Sequence, residues 1–205
     1  MILTGTKASQ GVNEVKNFYN RKTLNKALRQ DLGLFIHRCF QEVSGGEQYQ
    51  HNWHIDAIAH ASELCRRREV TRQIVSLPPR SLKSIVVSVA LPAWILGHDP
   101  SAKIISVSYA SGLAGEFCRK CRTIMSSSWY GEVFPNTRIN QDKNTELHFE
   151  TTKGGYRYAT SVGGTLTGKG AGYIIIDDPL KAEDGESEAA RRNVNIGSTT
   201  LSIRA

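Results

Sequence analysis

Apolar side chains recur every four positions across residues 13–43, at Leu24, Leu28, Leu32, Ile36 and Phe40. That spacing gathers them into one stripe and predicts an amphipathic helix over this stretch. Ser44-Gly45-Gly46 ends it, because consecutive glycines punctuate a helical pattern. A second helical segment runs from Trp53 to Arg68 and closes on the basic run Arg66-Arg67-Arg68. Beyond it the period shortens. Gln73 to Leu77 (QIVSL) is a β-prone run stopped by Pro78-Pro79, and it predicts a strand.

The apolar stretch SIVVSVALPAWILG after Lys83 contains Pro92, which a central strand would not accommodate. It predicts a buried helix from about Ser84, kinked or ended near that proline. Lys103 to Tyr109 (KIISVSY) predicts a strand, and Ser111 is the expected N-cap of a helix reaching about Met125. Glu146–Phe149 and Tyr156–Thr160 flank Lys153-Gly154-Gly155 as a hairpin, and Tyr173–Ile176 (YIII) is a fully apolar strand ending in Asp177-Asp178-Pro179. Strands alternating with helices across residues 72–176 predict an α/β domain with a mostly parallel sheet flanked by helices. The expected division is an N-terminal helical segment over 1–50 and an α/β domain over 51–205.

Composition narrows the classes. The 205 residues, 40% hydrophobic and 22% charged, are those of an ordinary globular protein. The longest apolar run, Ile85 to Leu96, is too short to span a bilayer, and MILTGTKASQ lacks the apolar core of a secretion signal. The expectation is a cytoplasmic protein. Five of the seven net positive charges fall in residues 1–80, which hold 12 Lys/Arg against 7 Asp/Glu. A basic N-terminal part is compatible with a polyanionic partner such as nucleic acid. Cys118 and Cys121 form a C-x-x-C with no second pair at zinc spacing, so they are expected as half-buried helix positions rather than ligands.

Two stretches resemble a phosphate-binding loop, G-x-x-x-x-G-K-[ST]. Gly163–Gly170 (GGTLTGKG) keeps both glycines and the lysine, but Gly170 stands where a hydroxyl belongs. Only Ala171 and Gly172 then precede a strand, so no helix begins there. Leu77–Ser84 (LPPRSLKS) has leucines at both glycine positions, yet it lies between a predicted strand and a predicted helix. That context matters, because the loop's N–H groups and the helix N-terminus together receive the phosphates. Leu82 before the lysine requires either a loop without positive φ there or one that accepts strain. In this reading Lys83 reaches the phosphates and Ser84 ligates Mg²⁺. Downstream, Asp177 orients Mg²⁺ and Asp178 polarises the water that attacks the γ-phosphate. Lys-Ser after one strand and Asp-Asp after a later one, in that order, predict nucleotide hydrolysis.

NWHIDAIAH (52–60), LPPRSLKSIVVSVALPAWILGHDPSAKIISVSYA (77–110) and GGTLTGKGAGYIIIDDPLKAEDGESEAARR (163–192) closely resemble the ATPase domain of the large terminase subunits of tailed bacteriophages and prophages. The resemblance runs from about Leu28 to Arg192. It implies a RecA-like P-loop fold of the additional-strand, catalytic-glutamate type. The implied function is an ATP- and Mg²⁺-dependent motor that moves double-stranded DNA through a portal protein into a procapsid. The implied partners are the DNA, the portal protein and a small terminase subunit, with the subunits forming a homo-oligomeric ring when complete, in the bacterial cytoplasm.

By the same resemblance Arg80, Ser81, Leu82, Lys83 and Ser84 form the nucleotide loop. Arg80 contacts the γ-phosphate or links hydrolysis to motion, Asp177 is the Mg²⁺ carboxylate, and Trp53 and His54 lie where the adenine is approached. Many members have Glu where this chain has Asp178, so either the strand end lies closer to the phosphate or Glu183 or Asp184 assists. GGTLTGKG becomes either a connector or a loop presenting Lys169 to DNA or a neighbour. The family's coupling motif and nuclease have no counterpart before Ala205, which implies a truncated ATPase domain. The alternatives are an inactive prophage remnant that keeps the fold, and a helicase-like P-loop ATPase outside packaging.

Overall fold

The computed structural model describes residues 20–164, 170–180, 187–189 and 192. The first helical pattern is realised as two helices, α1 over residues 20–30 and α2 over Leu32–Val43, broken at Asp31. Asp31 adopts extended backbone, and its carboxylate accepts the Leu34 N–H at 3.0 Å. A capping side chain thus ends one helix and starts the next within an unbroken apolar stripe. Leu28, Leu32, Ile36 and Phe40 of the stripe are buried, whereas Leu24 is exposed. Helix α3 spans Trp53–Arg66. The stretch after the loop opens as a π-helix, Ile85–Ala90, and continues as α4, Leu91–His98, with Pro92 in its first turn. Pro92 does not end the helix, which continues to His98; the change from one helix type to the other falls just before it. Strand β1 covers Lys103–Ser108, α5 Ser111–Ser126 and α6 Ser128–Val133. Ala110, not Ser111, holds the cap position of α5 and makes no side-chain bond.

Strands β2 (Ile139–Asn144), β3 (His148–Thr151), β4 (Tyr156–Ser161) and β5 (Tyr173–Ile176) join β1 in one sheet of order β2-β3-β4-β1-β5. The sheet is mixed, which corrects the expectation of a mostly parallel one. β4, β1 and β5 run parallel, but β2, β3 and β4 pair antiparallel. The links at 145–147 and 152–155 are too short for the crossover that parallel pairing needs. The second link is the expected Lys-Gly-Gly turn, with Gly154 at φ 81°. A Cβ on Gly155 would lie 2.4 Å from Pro100 O, so the turn closes tightly against the chain entering β1.

Gln73–Leu77 also departs from expectation. It alternates half-buried and exposed positions, with Val75 and Leu77 packed on the core and Ile74 95% exposed, but it pairs with no described strand. β-propensity expresses fit to a half-buried pleated surface, and packing one face satisfies it without a ladder.

Helix α5 lies across β4 and β1, and the π-helix packs on α5. The main core joins α2, α3, the π-helix, α4 and α5 to the inner residues Ile104, Phe149 and Ala159 of the sheet. Phe35 of α2 is fully buried among Trp94, Trp129, Tyr130 and Phe134, at ring centroid distances from 5.1 to 6.2 Å. The N-terminal helices therefore share the core of the sheet domain. Cys118 and Cys121 are fully buried rather than half-buried, and both are free thiols. Burial pushes the Cys121 thiol up to about 12, so it stays protonated and inert. Among the described residues no group of three or more His, Cys, Asp or Glu could hold a metal. No helix among them is long and apolar enough to cross a membrane.

Glu63 ties α3 to α4. Its carboxylate accepts the Trp94 indole N–H at 2.9 Å, two Arg66 N–H groups at 2.8 and 2.6 Å, and the Arg67 Nε–H at 3.1 Å. Burial alone would raise its pKa, but the hydrogen bonds from Arg66, Trp94 and Arg67 outweigh it and lower the value to about 2. A carboxylate depressed below its ordinary 4.5 stabilises the fold above that value and loses the contribution as pH falls toward 2. Glu63→Gln is therefore expected to cost about 1–2 kcal/mol at pH 7, the scale of a hydrogen bond to a charged group. Thermal melts from pH 7 to 2 check this: the gap between wild type and variant should start to narrow below pH 4.5 and close toward pH 2.

Candidate functional site: a strained loop facing an acidic strand end

The chain leaves the Gln73–Leu77 segment through Pro78-Pro79 and enters a tight loop before the π-helix. Arg80 sits at φ 63° and Leu82 at φ 62°. Left-handed backbone costs a non-glycine residue roughly 1–2 kcal/mol. The loop thus resolves the question raised by its missing glycines by accepting the strain. Leu82 offsets part of that cost by packing its side chain on the core, whereas Arg80 is exposed. Strain of this kind persists only where the surroundings enforce it, and it concentrates at ligand clamps. His54, near the start of α3, supplies one such restraint: its Nε2–H donates to Ser81 O at 3.1 Å. His54 therefore braces the loop backbone, while its neighbour Trp53 stands 76% exposed. Ser84 caps the π-helix as a half-buried residue with no side-chain capping bond.

The acidic pair is fixed from β1. Asp177 N–H donates to Val107 O at 2.9 Å, and Tyr109 N–H donates to Asp178 O at 3.1 Å. Strand alternation puts Asp177 on the side of Tyr173 and Ile175, toward the helices, where it is 3% exposed. In a regular strand Asp178 would then point to the opposite face. Its φ of 44° breaks the alternation, and both carboxylates converge on Lys83. Lys83 Nζ donates to Asp178 Oδ1 and lies 3.5 Å from Asp177 Oδ1. Burial works to lower the Lys83 pKa, but the hydrogen bond it donates to Asp178 and the two negative charges raise it above its ordinary value. The φ also bears on the residue type. Asp tolerates left-handed backbone far better than Glu does, because its short side chain can bond locally. An aspartate at this position suits the bend.

Two polar side-chain atoms in the site are buried with no hydrogen-bond partner among the described residues: Asp177 Oδ1 and Ser81 Oγ. The 3.5 Å contact to Lys83 is ionic but too long for a good hydrogen bond to Asp177. Orphaned buried oxygens are rare in folded proteins, and an ion or ligand is one of the few reasons for them. Mg²⁺ is usually held by one or two carboxylates together with substrate phosphates and water, not by an all-protein cage. A buried carboxylate oxygen that accepts no hydrogen bond and faces Lys83 beside the strained loop fits that chemistry.

The structure thus brings Lys83, Asp177, Asp178 and the Ser81–Leu82 backbone together, with His54 behind the loop. Arg80 and Trp53 stand exposed at its rim, and Glu183, Asp184 and Lys169 lie outside the described residues. Sequence reasoning missed two members. Ser88 Oγ donates to Asp177 Oδ2 at 2.8 Å, and Arg157, fully buried on β4, donates to Ser88 O at 2.7 Å. The available signals were a serine within an apolar helical run and an arginine in a strand of otherwise uncharged residues. No family model matches the chain, and no curated protein matches it.

Proposed function

We propose that this chain is the ATP-hydrolysing domain of a DNA-packaging motor of the large terminase type, with a RecA-like nucleotide fold. The observation that carries the reading is the convergence of Lys83 with a buried and an exposed carboxylate beside a loop strained at Arg80 and Leu82. The loop from Arg80 to Ser84 receives the phosphates. Lys83 exchanges its carboxylate partners for phosphate oxygens, and Arg80 approaches the γ-phosphate from the rim. Asp177 and Ser84 would hold Mg²⁺, which when bound neutralises charge developing on the phosphates. Asp178, released from Lys83, orients water for in-line attack on the γ-phosphorus. The new P–O bond forms as the bond to the ADP oxygen breaks, and Asp178 takes up the water's proton. Trp53 offers an exposed aromatic face for the adenine.

The wider role rests on the resemblance and on charge. Residues 1–80 carry most of the net positive charge, including Arg66, Arg67, Arg68, Arg72 and Arg80, which suits a duplex DNA partner. A portal protein, a small terminase subunit and a homo-oligomeric ring complete the proposed assembly in the bacterial cytoplasm. Titration of the purified chain with a fluorescent ATP analogue, with and without Mg²⁺, tests the core of the proposal, and phosphate release with and without duplex DNA tests the rest. Mg²⁺-dependent binding with DNA-stimulated, salt-sensitive hydrolysis is expected. Binding without hydrolysis would assign the chain to an inactive remnant, and absence of binding would remove the nucleotide reading.

A further inference from the structure

Arg157 is a fully buried arginine among the described residues. Its side chain is fully buried in the middle of β4, on the face that meets the helices, where its register partners are Ile104 on β1 and Phe149 on β3. The guanidinium keeps its charge at any pH a protein tolerates. Burying such a charge costs several kcal/mol unless it is paired and hydrogen-bonded. Among the described residues its hydrogen bonds go to neutral groups: Phe117 O on α5 at 2.8 Å, Ser88 O on the π-helix at 2.7 Å, and Ser106 Oγ on β1 at 3.4 Å, with the protonated Cys121 thiol also beside it. An apolar side chain would join this sheet to α5 at lower cost, so packing alone does not account for an arginine.

The contact with Ser88 has a local cause in the sequence. In an α-helix the carbonyl of Ser88 would accept the N–H of the residue four positions on, and that residue is Pro92, which has none. The π-helix Ile85–Ala90 covers this segment, and such helices are frequent at functional sites. The carbonyl is therefore open to Arg157. The hydroxyl of the same residue donates to Asp177 Oδ2 at 2.8 Å. Holding the Ser88 backbone fixes the direction of its hydroxyl, and the hydroxyl fixes the Asp177 carboxylate. The other oxygen, Asp177 Oδ1, is the orphaned one facing Lys83 at 3.5 Å.

We propose that Arg157 and Ser88 are positioning residues for Asp177. Arg157 holds Ser88, Ser88 ties one carboxylate oxygen, and the second oxygen is thereby presented to the cation that accompanies the nucleotide. The buried arginine acts through Ser88, so it does not compete for the oxygen that faces Lys83 and the site. Its bond to Phe117 O extends the same chain of contacts into α5. This inference rests on the nucleotide reading of the loop.

The experiment is the Mg²⁺ dependence of fluorescent ATP-analogue binding, measured on wild type, Ser88→Ala, Ser88→Thr and Arg157→Lys. Loss of a group that orients a metal ligand typically costs 10- to 100-fold in metal affinity. Ser88→Ala is expected to raise the half-saturating Mg²⁺ concentration about tenfold. Its binding of the analogue in EDTA, which depends on the loop and Lys83, should stay within about twofold of wild type. Ser88→Thr restores the hydroxyl and should return the Mg²⁺ requirement to within about threefold. Arg157→Lys keeps the charge but cannot span both carbonyls, and should fall between the two. Ser88→Ala is small enough to fold even where an Arg157 variant does not. A Mg²⁺ requirement unchanged in Ser88→Ala overturns the inference while leaving the nucleotide reading intact. A wild type that binds no analogue under either condition takes both down.

Discussion

Lys83→Ala is expected to weaken nucleotide binding at least 100-fold, on the order of 3 kcal/mol. Lys83 is the only lysine in the loop and stands between the strained Leu82 and the π-helix, so no neighbour replaces its ammonium. The same change leaves Asp177, 3% exposed, without its cation. Removing one partner of a buried ion pair costs more than the pair contributes, because the other charge stays buried. With Lys83 itself partly exposed, the expected loss of stability is about 1–2 kcal/mol. Lys83→Ala combined with Asp177→Asn separates the two effects: stability should largely recover, and binding should not. Calorimetric titration with Mg-ATP and chemical denaturation supply the two readouts. Lys83→Ala with wild-type affinity would show that the loop is not the phosphate site. The sign of the pH effect follows from the raised Lys83 pKa. On the basic side, the stability from the ion pair is lost as pH climbs above the lysine's ordinary 10.5 and through its raised value.

Asp178→Asn is the sharper test of chemistry. Asparagine accepts the φ of 44° as readily as aspartate and has nearly the same shape, so the bend at the end of β5 should survive. What disappears is the charge that holds Lys83 and that would take the proton of the attacking water. Binding of Mg-ATP is expected to stay within a few-fold of wild type or to tighten, since a carboxylate that competes with phosphate for Lys83 is gone. Hydrolysis is expected to fall by about 10²–10⁴-fold, the range for loss of a general base. Asp178→Glu should recover only part of the rate, because a longer side chain sits poorly on left-handed backbone. Single-turnover phosphate release measured beside equilibrium binding resolves the two. Unchanged turnover in Asp178→Asn would move the role to another acid, with Glu183 and Asp184 as the first candidates.

Much of the site was legible because its signals are local. The Lys-Ser pair, the strand YIII and the adjacent aspartates are each short runs whose chemistry depends on neighbours in sequence. Element boundaries followed from period and punctuation: Lys103–Ser108, Ser111–Ser126 and Tyr173–Ile176 lie within a residue or so of their expected limits. Errors arose where a pattern is shared by two outcomes. QIVSL carries the alternation of a strand but pairs with none among the described residues, since a pattern specifies a face and not a neighbour. Strand–helix alternation specifies a parallel sheet only where a helix intervenes; the Lys153-Gly154-Gly155 turn reverses the chain directly, so β3 and β4 pair antiparallel. Asp31 divided one expected helix into two because a side-chain cap competes with helical continuity at no cost to the apolar stripe.

By itself the sequence determined the helix and strand periods, the order of lysine, serine and paired aspartates, and, through Pro92, that an α-helical Ser88 carbonyl would lack its partner four residues on. Only the tertiary structure decided what met there. Arg157 lies 69 residues from Ser88 and Lys83 lies 95 residues from Asp178, and nothing at such separations can be read from spacing. The sheet order brings β4 and β5 to either side of β1, and burial then forces each polar group on the helix-facing side to find a partner. That requirement, applied to one arginine, one serine and one aspartate, leaves Asp177 Oδ1 without a hydrogen bond, facing Lys83 beside the strained loop.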